Sequence, residues 1–392
     1  MTQGRVALAV AAVFCAAVGV YNVLYVYFTL SGGPMIGPRL TVLFPDFLVF
    51  HAAVRAWIEG KIALIYDVDA FSAFQNTIYI DRLPKGLSFR PFLYPPLWLL
   101  MLLPLGALGV SKAYGVFMAA TAGIATALEG WRDWPGWLAV VLSPAAAWVV
   151  LSGQNTFLSL GLFHGGLHLL ERAPFAAGIL LGLLAYKPQI WVLVPLALIA
   201  ARQWKALAAT LATVAVMALA SLGIFGLDFW HAFLGAVREA SSEAATERMF
   251  QQMHVQMTTL LAAARMAGLS PGIAGLLQFA GAALAIAAVW FAFRRHGPGP
   301  AQTAVLACAT FLVSPYTLNY DLLLLMPSVV ALHRRGATAG FLPGERILHG
   351  LLWLLPTVGW MLNQLGLPVV PLVILLFGAT AWKRTVGHAR IA

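Results

Sequence analysis

Apolar runs of about twenty residues recur along the chain, separated by short polar segments. A transmembrane helix needs about 20 consecutive apolar residues, so the runs predict about twelve membrane spans. The predicted spans are residues 7–30, 92–110, 113–129, 137–152, 154–171, 174–200, 206–227, 272–293, 301–316, 319–333, 346–362 and 367–382. This pattern predicts an all-α integral membrane protein, a polytopic helical bundle forming a single domain over residues 1–392.

Composition and charge placement support this class. The chain is 61% hydrophobic and 10% charged, whereas soluble domains carry about 25% charged residues. Its net charge of +10 comes largely from short basic clusters between spans, as the positive-inside rule requires, so we do not expect nucleic-acid binding. The orientation predicts cytoplasmic termini and long outer loops at about 31–91 and 228–271. The clusters are Arg202/Lys205, Arg294/Arg295, Arg334/Arg335 and Lys383/Arg384.

The first outer loop contains a helical pattern. In "PDFLVFHAAVRAWIEG", Phe47, Phe50, Val54 and Ile58 form an apolar stripe at helical spacing. The pattern predicts an amphipathic helix lying at the outer membrane interface, with Asp46 at its start. "DAFSAFQNTIYIDRL" predicts a second helix in the same loop.

Lys187 stands beside Pro188 in the apolar run "AAGILLGLLAYKPQIWVLVPLALIA". A lysine at a helix centre costs about 2.5–3.5 kcal/mol on insertion scales, so it needs an anionic partner. Two partners are open: a structural ion pair with Asp321, or a lipid phosphate bound in a cavity.

Several other polar residues at membrane depth are functional candidates. Asp46 is a candidate for two roles, a helix cap and a general base, and one carboxylate can fulfil both. Arg90 and Tyr94, in "FRPFLYPPLWLL", suit either the membrane interface or a bound phosphate. His254 is either an ordinary loop histidine or a proton carrier or donor to a leaving phosphate.

"SGQNTF" places two side-chain amides, Gln154 and Asn155, between two short apolar runs. They form either a turn with an Asn cap or a set of hydrogen-bonding groups for sugar hydroxyls. If every predicted span crosses the membrane once, these two residues lie at the cytoplasmic end. Runs this short are also typical of broken or re-entrant helices. No motif predicts a metal site or a nucleotide cofactor.

The order of the motifs "GKIALIYD", "YPP", "GQN", "KPQ" and "PYTLNYD", after an Asp in the first outer loop, resembles glycosyltransferase family 87. The resemblance extends from about Pro45 to Leu325. It implies the GT-C fold and transfer of a hexose from a polyprenyl-phosphate sugar to a lipid or glycan acceptor, with mannose as the first candidate sugar. It also implies an inverting, metal-independent reaction at the outer face of the bacterial inner membrane, without a cofactor.

In the resembling enzymes a carboxylate of the first outer loop is the general base, and Asp46 matches that position. The resemblance marks Gln154, Asn155, Asn319 and Asp321 as substrate-binding candidates, and the phosphate candidates are Lys187, Arg90, His254 and Tyr94. A transporter or flippase for a polyprenyl-linked or small polar substrate is the main alternative, although we find no repeated halves. A non-catalytic membrane scaffold would leave Lys187 and the polar motifs without a role.

Overall fold

A computed structural model of the protein describes residues 42–83, 86–87, 90–130 and 133–386. Within these ranges the chain forms helices and connecting loops without a β-sheet, and an isolated antiparallel bridge joins Met257 and Leu318. The predicted all-α class is therefore confirmed. The predicted first span, 7–30, lies outside the described residues.

The helices follow one another with short connections. The first ten are α1 Pro45–Ile58, α2 Val68–Ile78, α3 Pro96–Leu102, α4 Val110–Leu128, α5 Trp134–Val141, α6 Pro144–Ser152, α7 Thr156–Leu169, α8 Pro174–Leu183, α9 Pro188–Trp191 and α10 Val194–Ala200. The remainder are α11 Trp204–Phe225, α12 Leu227–Ala240, α13 Glu243–Met253, α14 Leu260–Met266, α15 Pro271–His296, α16 Pro300–Val313, α17 Met326–Ala339, α18 Glu345–Gln364 and α19 Val370–Val386. Single turns of 3₁₀ helix lie at Ile62–Leu64, Leu103–Leu105, Leu184–Tyr186 and His254–Gln256, and a longer one spans Asn319–Leu325.

Proline sets where many of these helices begin. A proline at the first helical position loses no hydrogen bond, because that N–H has no partner inside the helix. The helices that start this way are α1, α3, α6, α8, α9, α15 and α16.

Few of the helices are long, uninterrupted spans. Within the described ranges, α11 and α15 alone are long and apolar enough to cross a bilayer. Two bent pairs also qualify: Pro96–Leu105 with α4, bent by 111°, and α5 with α6, bent by 54°. The structure thus supports apolar membrane helices, while the predicted count of twelve is not confirmed.

The predicted span 92–110 is not a continuous helix. Only α3 and one 3₁₀ turn form there, and the chain then bends sharply into α4. Pro104 lies within the 3₁₀ turn, and proline there ends regular helical hydrogen bonding.

The predicted span 174–200 is a hairpin rather than one crossing. A Cβ added at Gly178 would meet Ala206 and Ala209, and one at Gly182 would meet Thr210 and Thr213, so α8 and α11 run parallel. The chain from the end of α8 to the start of α11 must therefore run back to the end of the bundle at which α8 begins. The turn is at Lys187, whose φ of −122° and ψ of 78° end the first arm.

Helix α1 forms where its pattern predicts, but its expected surface position is wrong. Nine of its residues are buried, including His51 on the side expected to be polar, and Ile58, its last residue, is exposed. His51 is accommodated by hydrogen-bonding the Tyr79 hydroxyl and the Leu108 carbonyl. The helix of the first loop is thus part of the bundle core.

Candidate active site

The candidate site is built around Asp46, in the first turn of α1. Phe44, just before the helix, has φ 37° and ψ 52°, a left-handed conformation that is costly for a bulky residue. It is stabilised by complete burial, by stacking on Tyr114 with ring centroids 4.3 Å apart, and by a hydrogen bond from its N–H to the Leu151 carbonyl. These contacts fix the start of α1 against the end of α6.

Gly153, which follows α6, allows this close approach. Its φ of 71° lies in the left-handed region, and a Cβ there would come within 2.5 Å of the Cβ of Phe47. Glycine is required on both counts. The "GQN" loop is therefore held against α1, which brings Gln154 to Asp46.

Both carboxylate oxygens of Asp46 accept hydrogen bonds from side chains. Arg90 donates from Nη1 to Oδ1 at 2.5 Å, and Gln154 donates from Nε2 to Oδ2 at 2.9 Å. The Asp46 side chain is 13% exposed and that of Arg90 21%. Asp46 is thus a partly accessible carboxylate, fixed by one cation and one amide. Its side chain does not cap α1, since no side-chain cap bond forms there.

Two tyrosines extend this arrangement. The Tyr94 hydroxyl donates to Oε1 of Gln154 at 3.2 Å, and Nε2 of Gln154 also donates to the Tyr320 hydroxyl at 3.1 Å. Counting each predicted span as one crossing placed Gln154 and Asn155 at the cytoplasmic end, away from Asp46. That placement is wrong, because both residues lie at the Asp46 end of the bundle. The run 92–110 accounts for the change in parity, because it bends by 111° into α4 and does not form a separate crossing.

Behind this layer lies a second, buried ion pair. Nζ of Lys187 donates to Oδ1 of Asp321 at 2.6 Å and to Oδ1 of Asn155 at 3.2 Å. Lys187 is 1% exposed and Asp321 3%. Oδ2 of Asp321 accepts from the Leu318 N–H at 3.1 Å, and Thr156 approaches Oδ1 at 3.4 Å. The structure therefore shows the first of the two partners considered for Lys187.

The two ion pairs are linked through the loop that begins α7. Gln154 binds Asp46 and the neighbouring Asn155 binds Lys187. The Lys187 ammonium also lies 5.6 Å from the centre of the Tyr320 ring, a cation–π distance. Each cation is balanced by one carboxylate, so the site as a whole carries no net charge.

Some of the residues that build the site were not singled out from the sequence. Gln75 donates to the Arg90 carbonyl at 3.1 Å, and the Tyr66 hydroxyl donates to the Tyr94 carbonyl at 2.7 Å. Helix α2 and the turn before it thus hold the segment from Arg90 to Tyr94 at the site. Tyr320 was also missed, although it lies inside the quoted motif "PYTLNYD".

His254 lies three residues before Met257, where the second outer loop contacts residues 317–318. Residues 257–258 are joined to 317–318 by the Met257–Leu318 bridge and by hydrogen bonds between Thr258 and Thr317. The half-buried His254 ring forms a hydrogen bond with the Phe250 carbonyl of the preceding helix, α13, at 3.0 Å. The structure does not bring His254 into the Asp46 network, and its role as a phosphate donor stays a prediction.

The site retains polar groups without protein partners. In the described residues, Nε of Arg90 and Nδ2 of Asn319 are buried and make no hydrogen bond. Buried donors are almost always satisfied, so these two are available to a ligand. No group of three or more His, Cys, Asp or Glu residues in the described ranges is placed to hold a metal ion.

The chain is thus a helical protein with apolar helices of membrane type and a carboxylate–arginine–amide site. Comparison with protein families identifies it further: the chain belongs to glycosyltransferase family 87, whose profile matches residues 92–315, more than half of its length. The match includes Tyr94, Gln154, Asn155, Lys187 and His254, whereas Asp46, Arg90, Asn319 and Asp321 lie outside it. No curated protein and no solved structure matches the chain.

Proposed function

We propose that the protein transfers a hexose, with mannose the first candidate, from a polyprenyl-phosphate sugar to a lipid or glycan acceptor. The family indicates a glycosyltransferase, with a sugar donor and an acceptor as its substrates. The reaction takes place at the outer face of a bacterial inner membrane and inverts the anomeric carbon. The observation that carries the proposal is the Asp46 carboxylate, partly accessible and fixed on both oxygens by Arg90 and Gln154.

Asp46 is the general base in this proposal. It takes the proton of the acceptor hydroxyl as that oxygen attacks the anomeric carbon, and the lipid phosphate leaves with the electron pair of the broken C–O bond. The bond from Gln154 holds the carboxylate in one orientation. Tyr94 and Tyr320 fix Gln154 in turn, which keeps Asp46 close to its reactive geometry.

Arg90 stabilises the departing phosphate. In the free protein its Nη1 binds Asp46, while its Nε has no partner. A guanidinium presents donors in a planar fork that fits phosphate oxygens, so the donor phosphate competes with Asp46 for this side chain. Binding of the donor therefore loosens the ion pair and makes Asp46 a stronger base when it is needed.

Lys187 supports the site from behind. Its charge is balanced by Asp321 and its side chain is almost completely buried, so it fixes Asn155 and the Asn319–Leu325 turn. In this proposal Asn319 and Asn155 bind sugar hydroxyls. Direct binding of a phosphate by Lys187 stays a prediction.

The test is turnover by the purified protein in lipid nanodiscs, with a panel of polyprenyl-phosphate sugars and mass-spectrometric detection of product. Asp46→Asn keeps a hydrogen-bonding group of the same size but removes the base, and we expect about 10²–10⁴-fold slower turnover. Glu59→Gln is the matched control, because Glu59 is an exposed carboxylate directly after the same helix.

Arg90→Gln separates binding from chemistry. We expect a higher KM for the donor and a lower kcat, because the same guanidinium contacts the phosphate in the ground state and as it leaves. Asp46→Asn turning over as fast as Glu59→Gln would reject the base assignment. In sealed vesicles, movement of the lipid-linked substrate across the bilayer without any product would favour a transporter instead.

A further inference from the structure

A cavity lies at the far end of α7 from the Asp46 site. It has a volume of about 120 Å³ and is lined by residues of α5, α7, α16 and α17 and by Glu129, which follows α4. A single water needs about 10–15 Å³ of such space, so the cavity accommodates a group of several heavy atoms. His164 and His168 line it about 14 and 20 Å along α7 from Asn155, at 1.5 Å rise per residue. The cavity is therefore separate from the candidate active site.

Buried hydrogen-bonding side chains line part of this cavity. Ser328, 2% exposed, has a hydroxyl that makes no hydrogen bond within the described residues. Thr303 and His164, 6% and 1% exposed, line the cavity with it. A buried polar group without a partner is destabilising unless something else binds it, so the Ser328 hydroxyl points to an occupant.

The charged groups around the cavity are already paired. Glu129 is bonded by Nδ1 of His168 at 2.8 Å, and Asp133 pairs with Nη1 of Arg334 at 2.5 Å. Both carboxylates along the cavity therefore already have a partner among the described residues. The carboxylates remain able to accept additional hydrogen bonds from hydroxyl groups, since each oxygen has two lone pairs.

The rest of the wall is apolar. Trp137, Val140, Val330, Pro300 and Pro327 contribute to it. A ligand must therefore combine hydroxyl groups along one edge with a C–H surface on the other, which is the character of a pyranose ring. Binding pockets of this kind commonly combine apolar walls with a few placed polar groups.

We propose that this cavity binds a neutral polyhydroxylated group of about the size of a single sugar. It is a second carbohydrate site, distinct from the one in which transfer takes place. The chemistry is shared by a free sugar and by the sugar headgroup of a membrane glycolipid. Arg334 belongs to a basic cluster predicted to face the cytoplasm, so the cavity would open on the side opposite to the active site.

The test measures binding without turnover, on the full-length protein in phosphatidylcholine nanodiscs. Methyl glucoside is the free-sugar probe, detected by saturation-transfer NMR, and monoglucosyl diacylglycerol in the nanodisc is the lipid probe, detected by thermal stabilisation. We expect Ser328→Ala to weaken binding of the probe about five- to tenfold, the effect of losing one hydrogen bond. Ala331→Leu fills the cavity and should abolish binding.

Two control variants keep this result separate from the active site and from folding. Ser241→Ala removes an exposed hydroxyl that bonds only its own helix, and it should leave binding unchanged. Gln154→Ala impairs the candidate active site and should also leave binding at this cavity unchanged, even if the proposed transfer reaction is wrong. Stabilisation by the glycolipid alone identifies a headgroup site, and NMR binding of methyl glucoside identifies a free-sugar site. The proposal is overturned if neither probe binds, or if Ser328→Ala and Ala331→Leu bind as well as the unaltered protein.

Discussion

The Lys187–Asp321 pair allows a double substitution to separate structure from chemistry. The two charged atoms are 2.6 Å apart and almost completely buried. Removing one partner of such a pair leaves an uncompensated buried charge, which costs about 3–5 kcal/mol. Replacing both by neutral residues of similar size is often close to neutral, because the desolvation of both charges is relieved together.

The expected shift in thermal unfolding follows from chain length. With about 2.1 cal/mol/K of unfolding entropy per residue, the 392 residues give about 0.8 kcal/mol/K. We therefore expect Lys187→Met to lower the unfolding temperature by about 4–6 °C. The carboxylate left on Asp321 keeps the Leu318 N–H and Thr156 as partners. We therefore expect the decrease to fall in the lower half of this range.

The assay compares Lys187→Met, Asp321→Asn and the double variant by thermal unfolding and by turnover of the donor. We expect the double variant to recover most of the lost stability, and turnover to recover with it, since Arg90 is the proposed phosphate ligand. Recovered stability without turnover would show that the Lys187 ammonium itself takes part in catalysis. A double variant as unstable as the sum of the two single variants would refute the reasoning from charge compensation.

Three other predictions test the local geometry. Gly153→Ala should destabilise the protein by about 1–3 kcal/mol and reduce turnover, because its left-handed backbone and its close contact with α1 leave no room for a methyl group; thermal unfolding and the product assay measure both effects. Gly178→Ala should destabilise by about 1–3 kcal/mol by pushing α8 from α11, whereas Gly235→Ala, in open space on α12, should be neutral or slightly stabilising. In a cysteine-free background, Arg172→Cys and Lys205→Cys should be labelled by an impermeant maleimide from the same side of the membrane, and labelling from opposite sides would exclude the hairpin between them.

The helices themselves were largely predictable from the sequence. Apolar periodicity and proline positions placed most helix boundaries within a few residues, as for 206–227 against Trp204–Phe225 and 301–316 against Pro300–Val313. Local signals of this kind depend on the residues within a few turns. The same local signals predicted α1 and α2.

Whether a run crosses the bilayer was not predictable in the same way. The run 174–200 is long and apolar enough for one crossing, and only the contacts of Gly178 and Gly182 with α11 show that it turns back. The sequence did contain the cause, since a residue before proline is disfavoured in helical conformation and Lys187 precedes Pro188. The site was predictable in part: the order of the motifs selected Asp46, Gln154, Asn155, Lys187 and Asp321, but the partners of each depend on tertiary packing.

The hairpin also answers why a lysine is tolerated in an apolar run. At a true helix centre Lys187 would point into hydrocarbon or a tightly packed seam, with its backbone N–H and carbonyl committed to the helix. At the tip of a hairpin the backbone changes direction and the side chain reaches α7 and the Asn319–Leu325 turn, where Asn155 and Asp321 receive it. The "GQN" loop is bound to this tip on one side and to Asp46 on the other. The start of α1, the "GQN" loop and the turn at Lys187 therefore meet at one level of the bundle, where irregular backbone and polar side chains lie together.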